Sequence, residues 1–260
     1  MEYRISYWCV THIGNVRSVN QDNYICDGRY MKPDDEPMDA PLVGTLSSLT
    51  PALLGVFDGM GGEECGEIAS FIAAKNAASV KLGQQPLDAL SAYCQKANAD
   101  ICKYTEENGI SSMGTTAAML AFDKDGITLC NIGDSKILRF SKNGPEQISF
   151  DHISVCPFGK KPPLSQNLGI PPAEMIIDPY FARGTYRDGD LYLICTDGLT
   201  DMLSPDAIQK ILDAASDLEA ASLEMLRKAL FNGGKDNVTF ILCRLEKVRR
   251  GLSRLFAKKR

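Results

Sequence analysis

The chain has 260 residues, which is near the upper limit for one hydrophobic core, and its 44% hydrophobic and 23% charged residues are typical of a globular protein. No apolar run approaches the roughly 20 residues that a membrane-spanning helix needs. The N-terminal residues lack the pattern of a signal peptide, so we expect a cytoplasmic protein.

Charge is unevenly distributed along the chain. The net charge is −5, yet residues 244–260 carry +7, so the remaining residues carry −12. An acidic body of this kind argues against nucleic acid as the main partner. We therefore divide the chain into one predicted domain over residues 1–246 and a basic tail over residues 247–260. Contact of the tail with an anionic membrane is an alternative to a solvated, frayed terminus, which we favour.

The cysteine and histidine content excludes several kinds of site. The nine cysteines are odd in number, contain no C-x-x-C pair, and lie mostly in apolar stretches. We therefore expect buried free thiols rather than a zinc site or a disulfide framework. His12 and His152 are the two histidines, which argues against a His-rich metal site and against Ser-His catalysis.

The first half of the chain predicts strands followed by two helices. Proline and acidic residues interrupt the early strands, and helical spacing of apolar residues begins after residue 66. The predicted elements are, in order, strands at residues 5–10 and 22–26, a surface loop or hairpin insertion at 31–51, a strand ending at Phe57, and helices at 67–81 and from Pro86 to about residue 108.

In the second half of the chain, apolar and polar residues first alternate as in strands, and apolar residues later recur at helical spacing. The predicted elements are strands at residues 114–122, 126–132, 135–141 and 146–150, a Pro-rich loop at 157–172, a strand at 190–196, helices at about 205–215 and 217–231, and a closing strand at 237–245. Antiparallel strands grouped in the middle, with helix pairs on either side, predict a layered α+β sandwich rather than a doubly wound sheet.

Three aspartates stand at the ends of strongly apolar strands. Asp58 and Asp197 follow such strands, and Asp236 precedes one. An unpaired buried carboxylate is heavily penalised, so three of them in one chain predict carboxylates that converge on a cation. Carboxylate ligands favour a hard cation such as Mg²⁺ or Mn²⁺. The sequence thus predicts metal-assisted chemistry on an oxyanion substrate.

Six short segments occur in a fixed order along the chain. They are Arg17–Asp22, Val56–Gly62, Gly114–Thr116, Asn131–Ser135, Thr196–Asp201 and Asp236–Thr239. This order and spelling resemble the metal-dependent serine/threonine protein phosphatases of type 2C, in their compact bacterial form, from about residue 4 to residue 245. The resemblance implies a four-layer α/β/β/α sandwich, in which helix pairs flank two central, mainly antiparallel sheets, and one catalytic domain over residues 1–246.

The resemblance also implies hydrolysis of phosphoserine and phosphothreonine in proteins by a water that bridges two Mn²⁺ or Mg²⁺ ions. It assigns the bridging role to Asp58 and the grip on the substrate phosphate to Arg17. The other implied metal ligands are the carbonyl of Gly59 at one of the two ions, Asp197 and Asp236 as further ligands of one ion, Asp22 in the water shell of the second, and Asp134 and Asp201 at a third, weaker ion. Phosphoproteins and a cognate Ser/Thr kinase are the implied partners, and we expect a monomer.

Four of these residues also have purely structural alternatives. The alternatives are a turn for Asp22 and Asp134, a charge near a helix start for Asp201, and a surface ion pair for Arg17. Asp58, Asp197 and Asp236 are harder to explain in this way because each adjoins a strongly apolar strand.

The chain departs from the family pattern at several positions. His12 and Gln21 stand where relatives usually have acids, and Met60 occupies the place of a proposed general-acid histidine in animal forms. Only residues 153–163 separate two landmarks that relatives place some two dozen or more residues apart. We therefore expect a reduced flap, an open cleft with residues 31–51 as a wall, and relatively high activity on a small aryl phosphate.

Two other functions are open from the sequence. Residues 118–129 imitate the aspartyl nucleophile loop of haloacid-dehalogenase phosphatases, with Asp123 as the nucleophile, although a hairpin turn is the simpler interpretation. The second alternative is a pseudo-phosphatase that binds phosphoproteins or regulates a kinase without turnover. It is motivated by His12, Gln21, Gln166 and the short flap.

Overall fold

Two antiparallel sheets form the middle of the molecule in the computed structural model, which describes residues 1–33, 35, 38, 40–60, 65–156 and 162–248. In order of pairing, the first sheet contains β3 (Leu42–Ser47), β1 (Tyr3–His12), β12 (Val238–Lys247), β11 (Leu191–Cys195), β8 (Lys136–Ser141) and β9 (Gly144–Gln147). The second sheet contains β10 (Tyr180–Gly184), β7 (Gly126–Ile132), β6 (Ala117–Asp123), β4 (Ala52–Met60) and β2 (Asp22–Cys26), with β5 (Gly114–Thr115) paired to β4.

Side-chain alternation along β1 shows how the sheets pack. Ile5, Tyr7 and Cys9 are fully buried in the core between the two sheets, whereas Val10 and Trp8 belong to the core on the opposite face. Alternation of this kind follows from the two-residue period of a strand. Burial of the side chains between the sheets, at roughly 25 cal/mol per Å² of apolar surface, is the main force that holds the sheets together.

Helices cover the two outer faces. α1 (Gly66–Ala77) and α2 (Pro86–Glu107) share a core with the second sheet, while α4 (Pro205–Ala214) and α5 (Leu218–Phe231) share one with the first. A single helical turn, α3 (Asp197–Thr200), follows β11. The order helix, sheet, sheet, helix confirms the predicted four-layer α+β sandwich.

The helix starts match their sequence signals. Pro86 occupies the first turn of α2, where its missing N–H has no intrahelical partner to lose. Ser204 precedes α4, and its hydroxyl accepts from the Ala207 N–H at 3.3 Å. Asp217 precedes α5, and its carboxylate accepts from the Ala220 N–H at 2.8 Å. Both side chains satisfy a backbone donor that the helix leaves unpaired.

The clearest differences from the predicted elements concern β3, β10 and α1. β3 occupies the second half of residues 31–51, where we predicted a surface loop or hairpin insertion, and it pairs with β1 at the sheet edge. β10 is an unpredicted edge strand, because its half-buried and exposed residues show no clear alternation. α1 ends at Ala77, before the predicted end at residue 81.

Two predictions concern residues outside those that the structure describes: the interior of the reduced flap at residues 157–161 and the basic tail beyond Val248. Within the described residues, no helix combines the length and apolarity required to cross a membrane. Six cysteines are buried as free thiols, in agreement with the sequence analysis; they are Cys9, Cys26, Cys94, Cys130, Cys195 and Cys243.

Candidate metal centre

Asp22 and Asp58 lie side by side on neighbouring strands. Asp22 begins β2, and the antiparallel register pairs it directly with Asp58 near the end of β4. Directly opposed residues of this kind have Cβ atoms roughly 4.5–5.5 Å apart. Asp22 is only 2% exposed, and Asp58 is half-buried. The second sheet therefore presents two of the predicted metal-binding carboxylates at one end.

Threonines hold the backbone of Asp58. Its N–H donates to Thr116 Oγ1 at 3.0 Å, and its carbonyl accepts from the Thr116 N–H and the Thr115 hydroxyl, both at 2.9 Å. The Thr116 hydroxyl also shares a 2.6 Å hydrogen bond with Ser135 Oγ. Three polar groups of Thr115 and Thr116 therefore fix the backbone of Asp58 in the sheet, and Ser135 in turn holds Thr116.

Gly59 brings the start of α1 close to the carboxylates. Its N–H donates to the carbonyl of Gln21 at 3.1 Å. A Cβ atom at position 59 would lie 2.2 Å from the carbonyl oxygen of Gly66 and 2.4 Å from that of Gln21, so no side chain fits there. Glycine after Asp58 thus allows three backbone segments to meet.

The first sheet contributes Asp197 and Asp236. Asp197 opens α3 directly after β11, Asp236 precedes β12, and the two strands are paired neighbours. A Cβ atom on Gly198 would lie 1.9 Å from the carbonyl oxygen of Asn237 and 3.4 Å from the Cβ of Asp236. This close approach requires glycine after Asp197, and it brings the backbone at Asp197 beside Asp236.

A buried array of hydroxyl groups joins the two sheets behind the site. The Thr196 hydroxyl donates to the carboxylate of Asp22, 174 residues away, at 2.9 Å. The Thr239 N–H donates to Thr196 Oγ1 at 3.1 Å, and the Thr239 hydroxyl shares a 2.7 Å hydrogen bond with Thr11. Sequence reasoning gives these hydroxyl groups no role, and the signal that could have indicated one for Thr196 is its place directly before Asp197.

Asn237 fixes the loop that carries Arg17. Its side-chain carbonyl accepts from the Gln21 N–H at 2.8 Å. Its amide donates to the carbonyls of Ile13 and Val19, at 2.8 and 3.0 Å. One side chain at the start of β12 therefore holds both ends of the loop. Sequence reasoning gives Asn237 no role, because these partners are distant in the chain.

Burial and mutual repulsion perturb the carboxylates. Burial raises the pKa of Asp22 to about 7; hydrogen bonds from threonine hydroxyls lower it, and the charges of Asp197 and Asp236 raise it. The pKa of Asp58 is also raised, first by burial and then by four neighbouring carboxylates, those of Asp22, Asp197, Asp134 and Asp236. The five largest influences on Asp58 all act in this direction, so the site has an excess of negative charge that a cation would offset.

Arg17 lies at the solvent-exposed side of this group. Its guanidinium donates to Asp236 Oδ2 at 2.8 Å, and the Arg17 side chain is 49% exposed. The hydrogen bond and charge of Asp236 raise the pKa of Arg17, and Asp58 and Asp197 add to the effect. The surface ion pair considered as an alternative does exist, but the partner of Arg17 is a predicted metal ligand.

Asp134 and Asp201 occupy different positions around the group. Asp134 is half-buried in the turn between β7 and β8, and its charge is one of those that raise the pKa of Asp58. Asp201 is exposed at the end of α3, where its N–H donates to the Asp197 carbonyl at 2.7 Å. It therefore lies between α3 and α4, and Ser204 rather than Asp201 caps the start of α4.

The chemistry of this donor set fits Mn²⁺ or Mg²⁺. Oxygen ligands are what these ions prefer, and a dication would reverse the repulsion that raises the pKa values of the carboxyl groups. Within the described residues, however, no group of three or more His, Cys, Asp or Glu side chains has the arrangement that could hold an ion. Thr196 and Arg17 each donate to one oxygen of Asp22 and of Asp236, and an ionised carboxylate keeps further lone pairs that can face an ion.

The two ends of the segment that we predicted to be a reduced flap lie close together. Ile153 forms a β-bridge with Leu164, and the Ser154 N–H donates to the Pro163 carbonyl at 2.9 Å. The Ser165 N–H donates to the carbonyl of His152, also at 2.9 Å. The two ends of the segment are thus held together as in a hairpin.

Asp123 lies in the hairpin between β6 and β7. Its Oδ1 accepts from the N–H groups of Asp125 and Gly126, at 2.7 and 2.9 Å. A carboxylate bonded to its own turn has a structural role. The predicted hairpin is therefore confirmed, and the interpretation of Asp123 as a covalent nucleophile is wrong.

Comparisons with known proteins support one family. Residues 35–157 match the family Protein phosphatase 2C. Serine/threonine phosphatase stp of Listeria welshimeri is 25% identical over 260 aligned positions, which cover 93% of this chain and 96% of the relative. The chain belongs to the protein phosphatase 2C family. A further family member, serine/threonine protein phosphatase PstP of Mycobacterium tuberculosis, is 30% identical over 205 positions, which cover 73% of this chain and 40% of PstP.

Solved structures of phosphatase 2C proteins share the fold. The crystal structure of the Mycobacterium tuberculosis phosphatase PstP has a TM-score of 0.77 at 25% identity and covers 94% of this chain and 100% of the solved one. The catalytic domain of PstP, solved in complex with two manganese ions, has a TM-score of 0.74 at 26% identity and the same coverage.

Proposed function

We propose that this phosphatase 2C protein hydrolyses phosphoserine and phosphothreonine in proteins, with two Mn²⁺ or Mg²⁺ ions at the carboxylate group. Family membership makes the chain a protein serine/threonine phosphatase. The observation that carries the finer proposal is the meeting of Asp22 and Asp58 from one sheet with Asp197 and Asp236 from the other, beside Arg17.

The proposed ligands follow from this arrangement. Asp58 would bridge the two ions, and Gly59 would offer its carbonyl to one of them. Asp197 and Asp236 would be further ligands of one ion, and Asp22 would bind the water shell of the second. Asp134 and Asp201 would hold a third ion. When bound, a pair of such ions lowers the pKa of a shared water and neutralises phosphate charge, which supplies the nucleophile for an in-line attack.

The chain's own groups perform the remaining tasks. The Arg17 guanidinium has the planar donor geometry for two phosphate oxygens, and it is exposed enough to leave Asp236 for a substrate. The hydrogen bonds from Thr115 and Thr116 hold the backbone of Asp58, so little reorganisation of the backbone is needed at the site. Met60 cannot donate a proton, so protonation of the leaving group falls to water.

The proposal extends to the cellular setting. The catalytic domain would comprise residues 1–246, act as a monomer in the cytoplasm, and oppose a cognate Ser/Thr kinase on shared phosphoproteins. The acidic body and the absence of His-rich sites agree with phosphoprotein chemistry rather than with nucleic-acid binding.

Replacing Asp58 by asparagine tests this function. Hydrolysis of p-nitrophenyl phosphate and of a phosphothreonine peptide should require millimolar Mn²⁺. Asp58→Asn should lower kcat by more than about a hundredfold, because even the outer partners of metal ligands are worth 10–100-fold. Calorimetry should detect weaker Mn²⁺ uptake by the variant.

Asp123→Asn is the matched control, since it removes the same charge from a turn. It should retain most of the activity. A wild-type protein that is inert at millimolar Mn²⁺, yet binds phosphopeptide, would instead support the pseudo-phosphatase. Full activity in Asp58→Asn would contradict the metal mechanism.

A further inference from the structure

A long groove lies between the outer faces of α1 and α2 and the segment that follows β2. Its volume is about 1230 Å³. One wall is a stripe on α1 at helical spacing, in which Ile68, Phe71, Ile72 and Lys75 recur on one face. Part of the opposite wall comes from Met31, Lys32 and Met38. The sequence analysis predicted a wall from this region of the chain.

The size of the groove suits a polypeptide better than a small molecule. Pockets for drug-sized ligands have volumes of about 300–1,000 Å³. The stripe from Ile68 to Lys75 is roughly 10 Å long at 1.5 Å per residue. An extended chain covers that length with about three residues, at 3.3 Å each.

The lining of the groove combines an apolar stripe with charged side chains of both signs, which include the carboxylates of Asp35 and Glu67. Phe71 is half-buried and absent from the α1 and α2 core; its ring lies 6.0 Å from that of Tyr30. Lys75 sits 5.8 Å from the Phe71 ring centroid. Lys96 and Lys103 have carboxylate partners, whereas no described carboxylate pairs with the side chain of Lys32 or Lys75. The part of the groove around Phe71 and Lys75 is therefore complementary to a segment that combines a bulky apolar side chain with an acidic one.

The groove is continuous with the candidate metal centre. Its lining includes Asp22 and the residues Ser18–Asn20, which directly follow Arg17. Asp58, Asp197 and Asp236 are not part of the lining, so the groove begins beside the carboxylates and leads away from them. A substrate polypeptide whose phosphorylated residue contacts Arg17 can therefore extend along the groove to the α1 stripe.

We infer that this groove binds the polypeptide that flanks the phosphorylated residue of the substrate, in extended form, with a bulky apolar side chain against Phe71 and Ile72 and an acidic one near Lys75. The inference rests on the proposed function and names its substrate class: phosphoproteins with an apolar and acidic sequence close to the phosphorylated position. Small aryl phosphates do not reach the groove.

Two synthetic peptides test the inference. Both are thirteen-residue phosphothreonine peptides of equal negative charge; one carries Leu and the other Ser at positions three and five residues on either side of the phosphothreonine. With Mn²⁺ present, kcat/KM should be about tenfold higher for the Leu peptide, since burial of a leucine is worth that much or more. In Phe71→Ser, this ratio should fall to about one.

Two further variants keep the test sharp. Leu223→Ser removes a 45% exposed leucine from α5, on the opposite layer, and should keep the wild-type ratio. Lys75→Glu should lower kcat/KM for the acidic Leu peptide about fivefold at low salt and less at high salt, because surface charges are screened. For p-nitrophenyl phosphate, the ratio of the rate at low salt to the rate at high salt should be the same in Lys75→Glu as in the wild type.

The outcomes separate this inference from the proposed function. Equal kcat/KM values for the two peptides in the wild type, with intact metal-dependent turnover, overturn the inferred peptide binding in the groove and leave the proposed function standing. A parallel loss of activity on every substrate in Phe71→Ser also overturns the inferred peptide binding, because Phe71 would then support the fold rather than contact the peptide. A change of oligomeric state by light scattering without a change in peptide preference would assign the face to a second copy of the chain. No turnover of any substrate overturns the proposed function itself.

Discussion

Burial makes the charged form of Asp22 energetically unfavourable, and this same burial suits the carboxylate to bind a cation. It is almost fully buried, faces Asp58 across a strand pair, and receives a hydrogen bond from Thr196. Such a group favours its neutral form until a cation compensates its charge. The same burial that destabilises the anion therefore makes the anion a strong partner for a metal ion.

The raised pKa of Asp22 predicts that the metal-free protein loses stability between pH 5 and pH 8. A folded-state pKa of about 7, against an ordinary value of 3.8, means that the native state binds the proton more tightly than the unfolded state. This contribution to stability is fully present below pH 4 and disappears as pH rises through 7. Asp58 acts in the same direction. Thermal unfolding in EDTA should show a lower Tm at pH 8 than at pH 5.

Asp22→Asn is the control for this titration. Asparagine keeps an oxygen that can accept from the Thr196 hydroxyl and has no proton to lose, so the fall in Tm between pH 5 and pH 8 should become smaller. Mn²⁺ should restore the wild-type Tm at pH 8. An unchanged pH profile in the variant would show that other groups dominate the titration.

At the scale of elements, the predicted reduction of the flap should leave the site more open. The hairpin-like base formed by residues 152–154 and 163–165 leaves few residues between its ends. Relative to Stp of Listeria or PstP, we predict a higher ratio of kcat/KM on p-nitrophenyl phosphate to kcat/KM on a phosphopeptide that lacks apolar flanking residues. Side-by-side kinetics check this, and the reverse order of the two ratios would contradict the prediction.

Most elements could be predicted because their patterns are local. β1, β6 and β7 alternate or are continuously apolar, and α4 and α5 begin at side chains that cap them. β3 and β10 could not be placed, because edge strands bury little and owe their form to a distant partner. The pairing of β1 with β12, first strand with last, is likewise invisible to periodicity.

The candidate site divides in the same way. Asp58, Asp197 and Asp236 are recognisable because a carboxylate beside an apolar strand is unusual. Thr196 and Asn237 are not, since their roles depend on partners 174 and 216 residues away. Sequence supplies the groups that bear charge, while the hydroxyl and amide groups that orient them emerge only from the packing of two sheets.

At the scale of the whole molecule, the candidate metal centre lies where the two sheets meet. Asp22 and Asp58 belong to one sheet, Asp197 and Asp236 to the flanks of the other, and Thr196 bonds across the gap. The apolar core already holds the two sheets together, and an ion with ligands from both sheets would link them a second time. Metal binding should therefore stabilise the fold as a whole rather than one layer.

We accordingly predict that Mn²⁺ at about 100 times its Kd adds about 2.7 kcal/mol to the free energy of unfolding. For a chain of this size that corresponds to a rise in Tm of about 5–10 °C, in a single calorimetric transition. Asp58→Asn should abolish most of the rise. Ile5→Val is the matched control: it weakens the core between the sheets at the far end of β1 by about 0.5–1.5 kcal/mol and should lower Tm while retaining the full Mn²⁺ effect. Two separate transitions, or a Mn²⁺ effect that persists in Asp58→Asn, would show that the ion does not join the sheets.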